Sequence, residues 1–216
     1  MGKSPSSRGM VAKLLRRLDQ YYPNAQCALR FSNPLELLVA TILSAQCTDE
    51  RVNKVTQELF QKYVSAADYA KVDQAELEND IRSTGFYRNK ARMIREMCQV
   101  LCEKYGGKVP PDMEQLTQLP GIGRKTANVV LGTAFGIPSG IVVDTHVARI
   151  SRRLGLTQQK TPEKIEQDLM AQIRKDRWIL FGHQLIHHGR KVCTARRPRC
   201  QECPIADLCP KIGVQK

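Results

Sequence analysis

Ten residues, Leu119-Pro120-Gly121-Ile122-Gly123-Arg124-Lys125-Thr126-Ala127-Asn128, constrain this chain more than any other stretch. The residues before them, Asp112 to Gln118, predict a short helix. Those from Thr126 to Phe135 predict a second, with Ala127, Val130, Leu131 and Ala134 on one face. Pro120 stops the first helix, and the two glycines permit a tight reversal with positive φ. The amides of Ile122, Gly123 and Arg124 then open the second helix without partners. Free amides at a helix N-terminus, aided by the helix dipole, form an anion site. Lys125 stands in the first turn, where the dipole and Arg124 both disfavour a charge. A neutral amine there is a candidate nucleophile; the plainer reading is a surface lysine that touches phosphate. The sequence argues against a nucleotide-triphosphate loop, which needs Gly directly before the Lys where Arg124 stands.

The partner class follows from charge. Lys and Arg number 34 against 21 Asp and Glu, a net charge of +13, which calls for a polyanion. From Arg174 to Lys216 there are ten basic and three acidic residues, so the tail carries about half of the excess. Arg88, Lys90, Arg92 and Arg95 form a second basic run, which is either a solvated face or a further binding surface. No apolar run is long enough to span a membrane and no signal peptide is evident. The eight cysteines therefore fit a reducing compartment, where clustered thiols suggest metal instead of disulfides. Met1-Gly2-Lys3-Ser4-Pro5-Ser6 formally fits a myristoylation pattern. So short a match arises easily by accident, and residues 1–9 read as a disordered leader.

The remaining periodicity is helical throughout. Met10 to Tyr22 is amphipathic, with Val11, Leu14, Leu15 and Leu18 on one face. Asn33-Pro34 opens a helix that is apolar nearly all round to Leu43, hence central. Thr48 or Asp49 caps the next, to about Tyr63. Shorter helices are expected at 65–69 and 73–82, and a long one from Asn89 to Lys104 with Ala91, Ile94, Cys98 and Leu101 inward. Beyond the hairpin, helices are predicted at 145–154, 162–173 and 178–188. Ile141-Val142-Val143 is β-branched, but an isolated strand has nothing to pair with. The fold class is all-α.

Four cysteines, Cys193, Cys200, Cys203 and Cys209, are spaced C-x6-C-x2-C-x5-C. Four thiolates this close make a complete ligand set for a metal centre, and spacing alone does not separate zinc from [4Fe–4S]. The loop between the first two holds Arg196, Arg197 and Arg199, so the metal can shape a basic loop for phosphate contact. Cys27, Cys47, Cys98 and Cys102 lack this clustering and read as core residues. His183 and His187 are one turn apart, but Gln184 replaces the Glu a zinc-protease helix requires. Asp144 precedes a helix as a good N-cap. Paired with Lys125 across a cleft, its carboxylate could instead stabilise a developing cation or take a proton.

Together the hairpin from Leu119 to Leu131, Val143-Asp144-Thr145-His146, the four terminal cysteines and Leu43-Ser44-Ala45-Gln46-Cys47-Thr48-Asp49 resemble the endonuclease III family of DNA base-excision-repair glycosylases. The resemblance runs from about Leu14 to Cys209. It implies a helix-hairpin-helix glycosylase fold: two helical domains flanking a DNA-binding cleft. One is a bundle over residues 27–136, with the helix-hairpin-helix at 112–136. The other joins residues 10–26 to 137–216 and carries a [4Fe–4S] cluster on Cys193, Cys200, Cys203 and Cys209. In family terms Lys125 is the nucleophile and Asp144 the essential carboxylate. Gln46 and Phe86 match the two loops that enter the duplex beside a flipped base, with Phe86 where the family has leucine. Gly121, Ile122, Gly123, Arg124, His146, Arg196 and Arg197 complete the DNA-contacting set. The implied activity is bifunctional: removal of damaged, typically oxidised, pyrimidines through a lysine Schiff base, then cleavage 3′ of the abasic site by β-elimination. The implied partner is double-stranded DNA with a damaged base or abasic site, bound by a monomer in a bacterial cytoplasm at the nucleoid, with no membrane role. A monofunctional mismatch glycosylase is an alternative, but those enzymes place a glutamate before the Gln46 segment, and Ala40 and its neighbours offer no acid. A non-enzymatic helix-hairpin-helix DNA-binding protein is the other, and it has no need of Lys125 with Asp144.

Overall fold

The computed structural model describes residues 8–214. Among them every regular element is helical, with eleven α-helices and three single-turn 3-10 helices. The all-α expectation holds, and Ile141–Val143 runs through without strand pairing. The first helix, α1 (Arg8–Tyr21), begins two residues inside the expected leader; residues 1–7 of that leader lie outside the described residues. The chain forms two compact units, Cys27–Ile137 and Met1–Gln26 with Pro138–Lys216.

In the Cys27–Ile137 unit, α2 (Pro34–Leu43) is the central rod. Asn33 caps it, its side chain accepting from the Glu36 amide at 3.0 Å, and Pro34 fills the first turn where no amide is needed. Leu37, Leu38, Val39, Ala40, Ile42 and Leu43 are all buried. Around it pack α3 (Asp49–Lys62), α6 (Tyr87–Tyr105) and α8 (Arg124–Phe135). The short α4 (Ala66–Lys71) and α5 (Gln74–Asp80) lie along α6, and α7 (Met113–Thr117) packs on α8. The predicted inner face of the long helix is correct, with Ala91, Ile94, Cys98 and Leu101 buried. The Arg88–Arg95 basic run is a surface run only at Arg88 and Arg92, which are exposed. Lys90 is 3% exposed and belongs to the apolar stripe with Ile94, Met97 and Leu101, which recur at helical spacing. Arg95 is half-buried and donates to Gln74 at 3.1 Å. Cys27, Cys47 and Cys102 are half-buried against this core and Cys98 is fully buried.

The other unit combines α1 with α9 (Thr145–Arg153), α10 (Pro162–Gln172) and α11 (Trp178–Lys191) around Leu14, Leu18, Val147, Ile150, Phe181 and Leu185. Asp19 of α1 accepts from Arg177 at 3.0 Å and from Gln184 at 3.0 Å, tying α1 to the start of α11. Helix α11 meets α9 at Gly189. A Cβ there would lie 2.8 Å from Nδ1 and 2.9 Å from Cβ of His146, so only glycine allows this approach.

Candidate nucleic-acid interface and cluster site

The hairpin joins α7 to α8 at Leu119–Gly123. Gly121 takes φ +76°, the left-handed region the reversal needs. The expectation for Ile122 is corrected here: its amide donates to Leu119 O at 3.1 Å and its side chain is buried, so that amide is used inside the turn. Gly123 is the N-cap of α8 and supplies no side-chain hydrogen bond. The first turn of α8 therefore presents amides and dipole without a capping side chain, the condition for holding an anion. Gly121, Gly123, Arg124 and Lys125 are all exposed around it.

Two further loops of this unit carry Gln46 and Phe86. Both are exposed, Phe86 at 64%. Both hold positive φ, +53° and +50°, and only Lys211 shares this among described non-glycine residues. Left-handed backbone costs a side-chain-bearing residue about 1 kcal/mol or more, and such strain concentrates where function needs a side chain. An exposed, strained phenylalanine is hard to explain by packing. The sequence gives no sign of this geometry at Gln46, whereas Gly85 marks the turn at Phe86.

In the other unit, Asp144 is the N-cap of α9. Its Oδ1 accepts the Val147 amide at 2.8 Å, so the plain capping role is real. No hydrogen bond within the described residues uses Oδ2, which leaves one carboxylate oxygen for another task. His146, in the same first turn, is half-buried with Nδ1 at 3.1 Å from Arg149. Burial lowers its pKa, partly countered by the Asp144 charge.

Helix α9 also anchors the cysteine loop. Arg149 donates to Cys193 O at 2.8 Å. Arg153 donates to Thr194 O at 2.7 Å, to Ala195 O at 2.9 Å and to Cys193 Sγ at 3.2 Å. Thr194 Oγ1 donates to Arg197 O at 2.7 Å. These bonds fix the backbone of the loop while Arg196 and Arg197 stay exposed. The sequence reading missed Arg149 and Arg153, which look like ordinary surface cations until α9 is folded.

All four sulfurs line one recess, with Ile150, Leu154 and Ile205 on its apolar side. No three His, Cys, Asp or Glu among the described residues converge on one metal-ion position. Four cysteines lining one recess are a donor set that either a tetrahedral zinc or a cubane could use. Donors suited to anionic sulfur surround it: Arg153 at Cys193, and the Lys211 amide at 3.4 Å from Cys209 Sγ. His188 Nε2 lies 3.6 Å from Cys203 Sγ, while its Nδ1 meets Tyr22 Oη at 2.9 Å. Burial takes the His188 pKa down to about 4, so the ring is neutral near pH 7. Burial also raises the thiol pKa values of Cys203 and Cys209.

Comparison with known proteins converges on one answer. Residues 39–175 match the HhH-GPD superfamily base excision DNA repair protein model, and residues 193–209 match the iron-sulfur binding domain of endonuclease III. Endonuclease III of Synechocystis sp. is 53% identical over 96% of this chain and 95% of its own length. The chain belongs to the endonuclease III family. The Bacillus subtilis endonuclease III is 50% identical over 90% of this chain and 89% of its own. A solved endonuclease III–DNA covalent intermediate superposes with a TM-score of 0.91, at 47% identity over 95% of this chain and 97% of that one. The cofactor of this endonuclease III family member is a [4Fe–4S] cluster, and the helix-hairpin-helix glycosylase fold is the fold of the family. No helix among the described residues is long and apolar enough to cross a membrane.

Proposed function

We propose that Lys125 and Asp144 carry out the chemistry of this enzyme, a bifunctional DNA glycosylase and abasic-site lyase acting on oxidised pyrimidines in double-stranded DNA. The observation that carries the reading is the hairpin: an uncapped first turn of α8 with Lys125 exposed in it. A base inside a duplex is unreachable, so the damaged nucleotide is extruded. Gly121, Gly123 and Arg124, with His146, Arg196 and Arg197, hold the backbone through phosphate contacts, and Gln46 and Phe86 fill the space the base leaves. Asp144 takes the proton that Lys125 loses and favours the cationic sugar that forms as the base departs. Lys125 Nζ bonds to C1′ while the glycosidic C1′–N bond breaks, and the base leaves with the bonding pair and takes up a proton. Loss of the sugar's ring C–O bond at C1′ gives the Schiff base. The Schiff base acidifies C2′; removal of that proton expels the 3′ phosphate by breaking the C3′–O bond.

In this assignment Cys193, Cys200, Cys203 and Cys209 hold the cluster in the unit containing both chain ends, and the Cys27–Ile137 unit supplies the hairpin and the two loops. Holding a cluster on Cys193 and Cys200 would keep the loop between them, with Arg196 and Arg197, in shape for DNA docking. The enzyme works in a bacterial cytoplasm at the nucleoid. The test is borohydride reduction of enzyme mixed with an oxidised-pyrimidine duplex. The native chain gives a covalent adduct. Lys125→Gln binds the same DNA but yields neither adduct nor cleavage. Normal cleavage by Lys125→Gln overturns the nucleophile assignment.

A further inference from the structure

Lys90 is a charged residue buried in the bundle unit, and the reaction above gives it no role. Its side chain lies in the core of the Cys27–Ile137 unit and its ammonium makes two 2.8 Å hydrogen bonds, to Leu43 O and to Thr84 O. Leu43 is the last residue of α2, and Thr84 is the last residue of the 3-10 turn Arg82–Thr84. Carbonyls at helix ends have no helical partner, and a helix C-terminus is its negative pole. A buried ammonium satisfies both needs at once. Burial lowers the pKa of Lys90, with the Cys47 thiol acting the other way; the two carbonyls are what offset the desolvation.

The position of these two carbonyls matters more than their chemistry. Leu43 lies three residues before Gln46, and Thr84 two residues before Phe86. The Lys90 backbone amide also donates to Phe86 O at 3.1 Å. One side chain therefore bonds the stems of both strained loops from inside the core. We propose that Lys90 is a positioning residue, a clamp that sets the spacing and the left-handed backbone of Gln46 and Phe86 for entry into the duplex. The proposal rests on the reading that those two side chains enter the DNA stack. Without the clamp, each loop relaxes independently and the two insertions lose register. An apolar side chain of the same length fills the volume but bonds neither carbonyl. A misplacement of about 1 Å in such a constellation costs up to roughly a hundredfold in rate.

The experiment compares Lys90→Met and Lys90→Gln with the native holoenzyme. Single-turnover excision is measured on a duplex bearing an oxidised pyrimidine. Borohydride trapping is measured on a single strand with an abasic site, which has no stack to open. A 2-aminopurine placed beside the lesion reports unstacking by fluorescence. The clamp predicts that Lys90→Met lowers duplex excision by roughly tenfold or more relative to its own single-strand trapping, with a smaller fluorescence rise. Lys90→Gln, which keeps donors but reaches less far, falls between. Phe86→Ala and Gln46→Ala separate the two layers of the argument. If neither slows duplex excision, the duplex-entry reading itself fails. If they do and Lys90→Met does not, the clamp alone fails. Equal loss on both substrates, or loss of the fold in both Lys90 variants, makes Lys90 a general fold residue and overturns the proposal.

Discussion

Asp144→Asn separates two roles that this residue holds in one side chain. Its Oδ1 caps α9 through the Val147 amide at 2.8 Å, and Asn caps about as well as Asp. The amide oxygen can take the same bond, so Asp144→Asn leaves α9 and the melting temperature nearly unchanged. Asp144→Ala removes the cap and costs about 1 kcal/mol, or about 2–4 °C of Tm for a chain this size. The reaction responds differently. Both variants remove the negative charge and the only proton acceptor the mechanism assigns to Lys125. The loss of excision is about two orders of magnitude or more, equivalent to roughly 2.7 kcal/mol of transition-state stabilisation. Asn and Ala thus give similar rates but different Tm values. The measurement is single-turnover base excision beside a thermal melt of the same preparation, with DNA affinity checked at fixed salt. Affinity holds or tightens, since a charge that repels phosphate is gone. If Asp144→Asn excises at a near-native rate while Asp144→Ala is slow in proportion to its lost stability, Asp144 is only a cap.

Three other outcomes follow from particular contacts. Gly189→Ala puts a Cβ 2.8–2.9 Å from His146 and 3.0 Å from Ile150, so α11 and α9 separate; Tm falls by the equivalent of about 1–3 kcal/mol, read by thermal melting. Hydrogen bonding from Arg177 holds the Asp19 pKa below its usual value, against burial and with help from Gln184. A depressed carboxylate stabilises the fold above its unfolded pKa and loses that contribution as pH falls through the folded one. Acid denaturation should therefore show a component below about pH 4 that Asp19→Asn abolishes. Replacing Arg196 and Arg197 with Ala weakens damaged and undamaged DNA alike and reduces the salt slope of binding by roughly one to two; loss confined to damaged DNA would make the loop a lesion reader.

What could be read from the sequence divides by the range of the interaction. Caps and turns are local, so Asp144, and Thr48 or Asp49, could be named as caps before the fold was known, and Asp144 and Thr48 each accept from an amide of the helix's first turn. The cysteine set was legible for the same reason. Long-range polar contacts were not. Lys90 was counted with its neighbours as surface charge, although its spacing from Ile94, Met97 and Leu101 placed it on the buried stripe. Arg153 is 8% exposed because its carbonyl partners lie 41 and 42 residues away, and nothing local announces that. The Ile122 amide fails in the opposite sense. A turn with two glycines leaves room for its own internal hydrogen bond, and the sequence does not say which amides the turn consumes.

The capping pattern itself argues for where the bundle meets DNA. Helices α2, α3, α4, α5 and α7 each begin with a side-chain cap, from Asn33, Thr48, Ser65, Asp73 and Asp112. Helices α6 and α8 begin at Phe86 and Gly123 with none. An uncapped start forgoes about 1 kcal/mol that a serine or aspartate would supply. A chain that caps five helices of one unit is not short of capping residues, so the two exceptions need a cause. At Gly123 an acidic or hydroxyl cap would occupy the amides proposed above to bind a phosphate, and an acid would repel it. At Phe86 the cap position instead carries an exposed aromatic ring in left-handed backbone, which serves neither the helix nor the core. Both omissions fall on the hairpin and on a loop proposed to enter the duplex. Local stability is given up at the points where a ligand would restore it, and at the Phe86 loop the core supplies bonds from behind, through Lys90 to Thr84 O and from the Lys90 amide to Phe86 O.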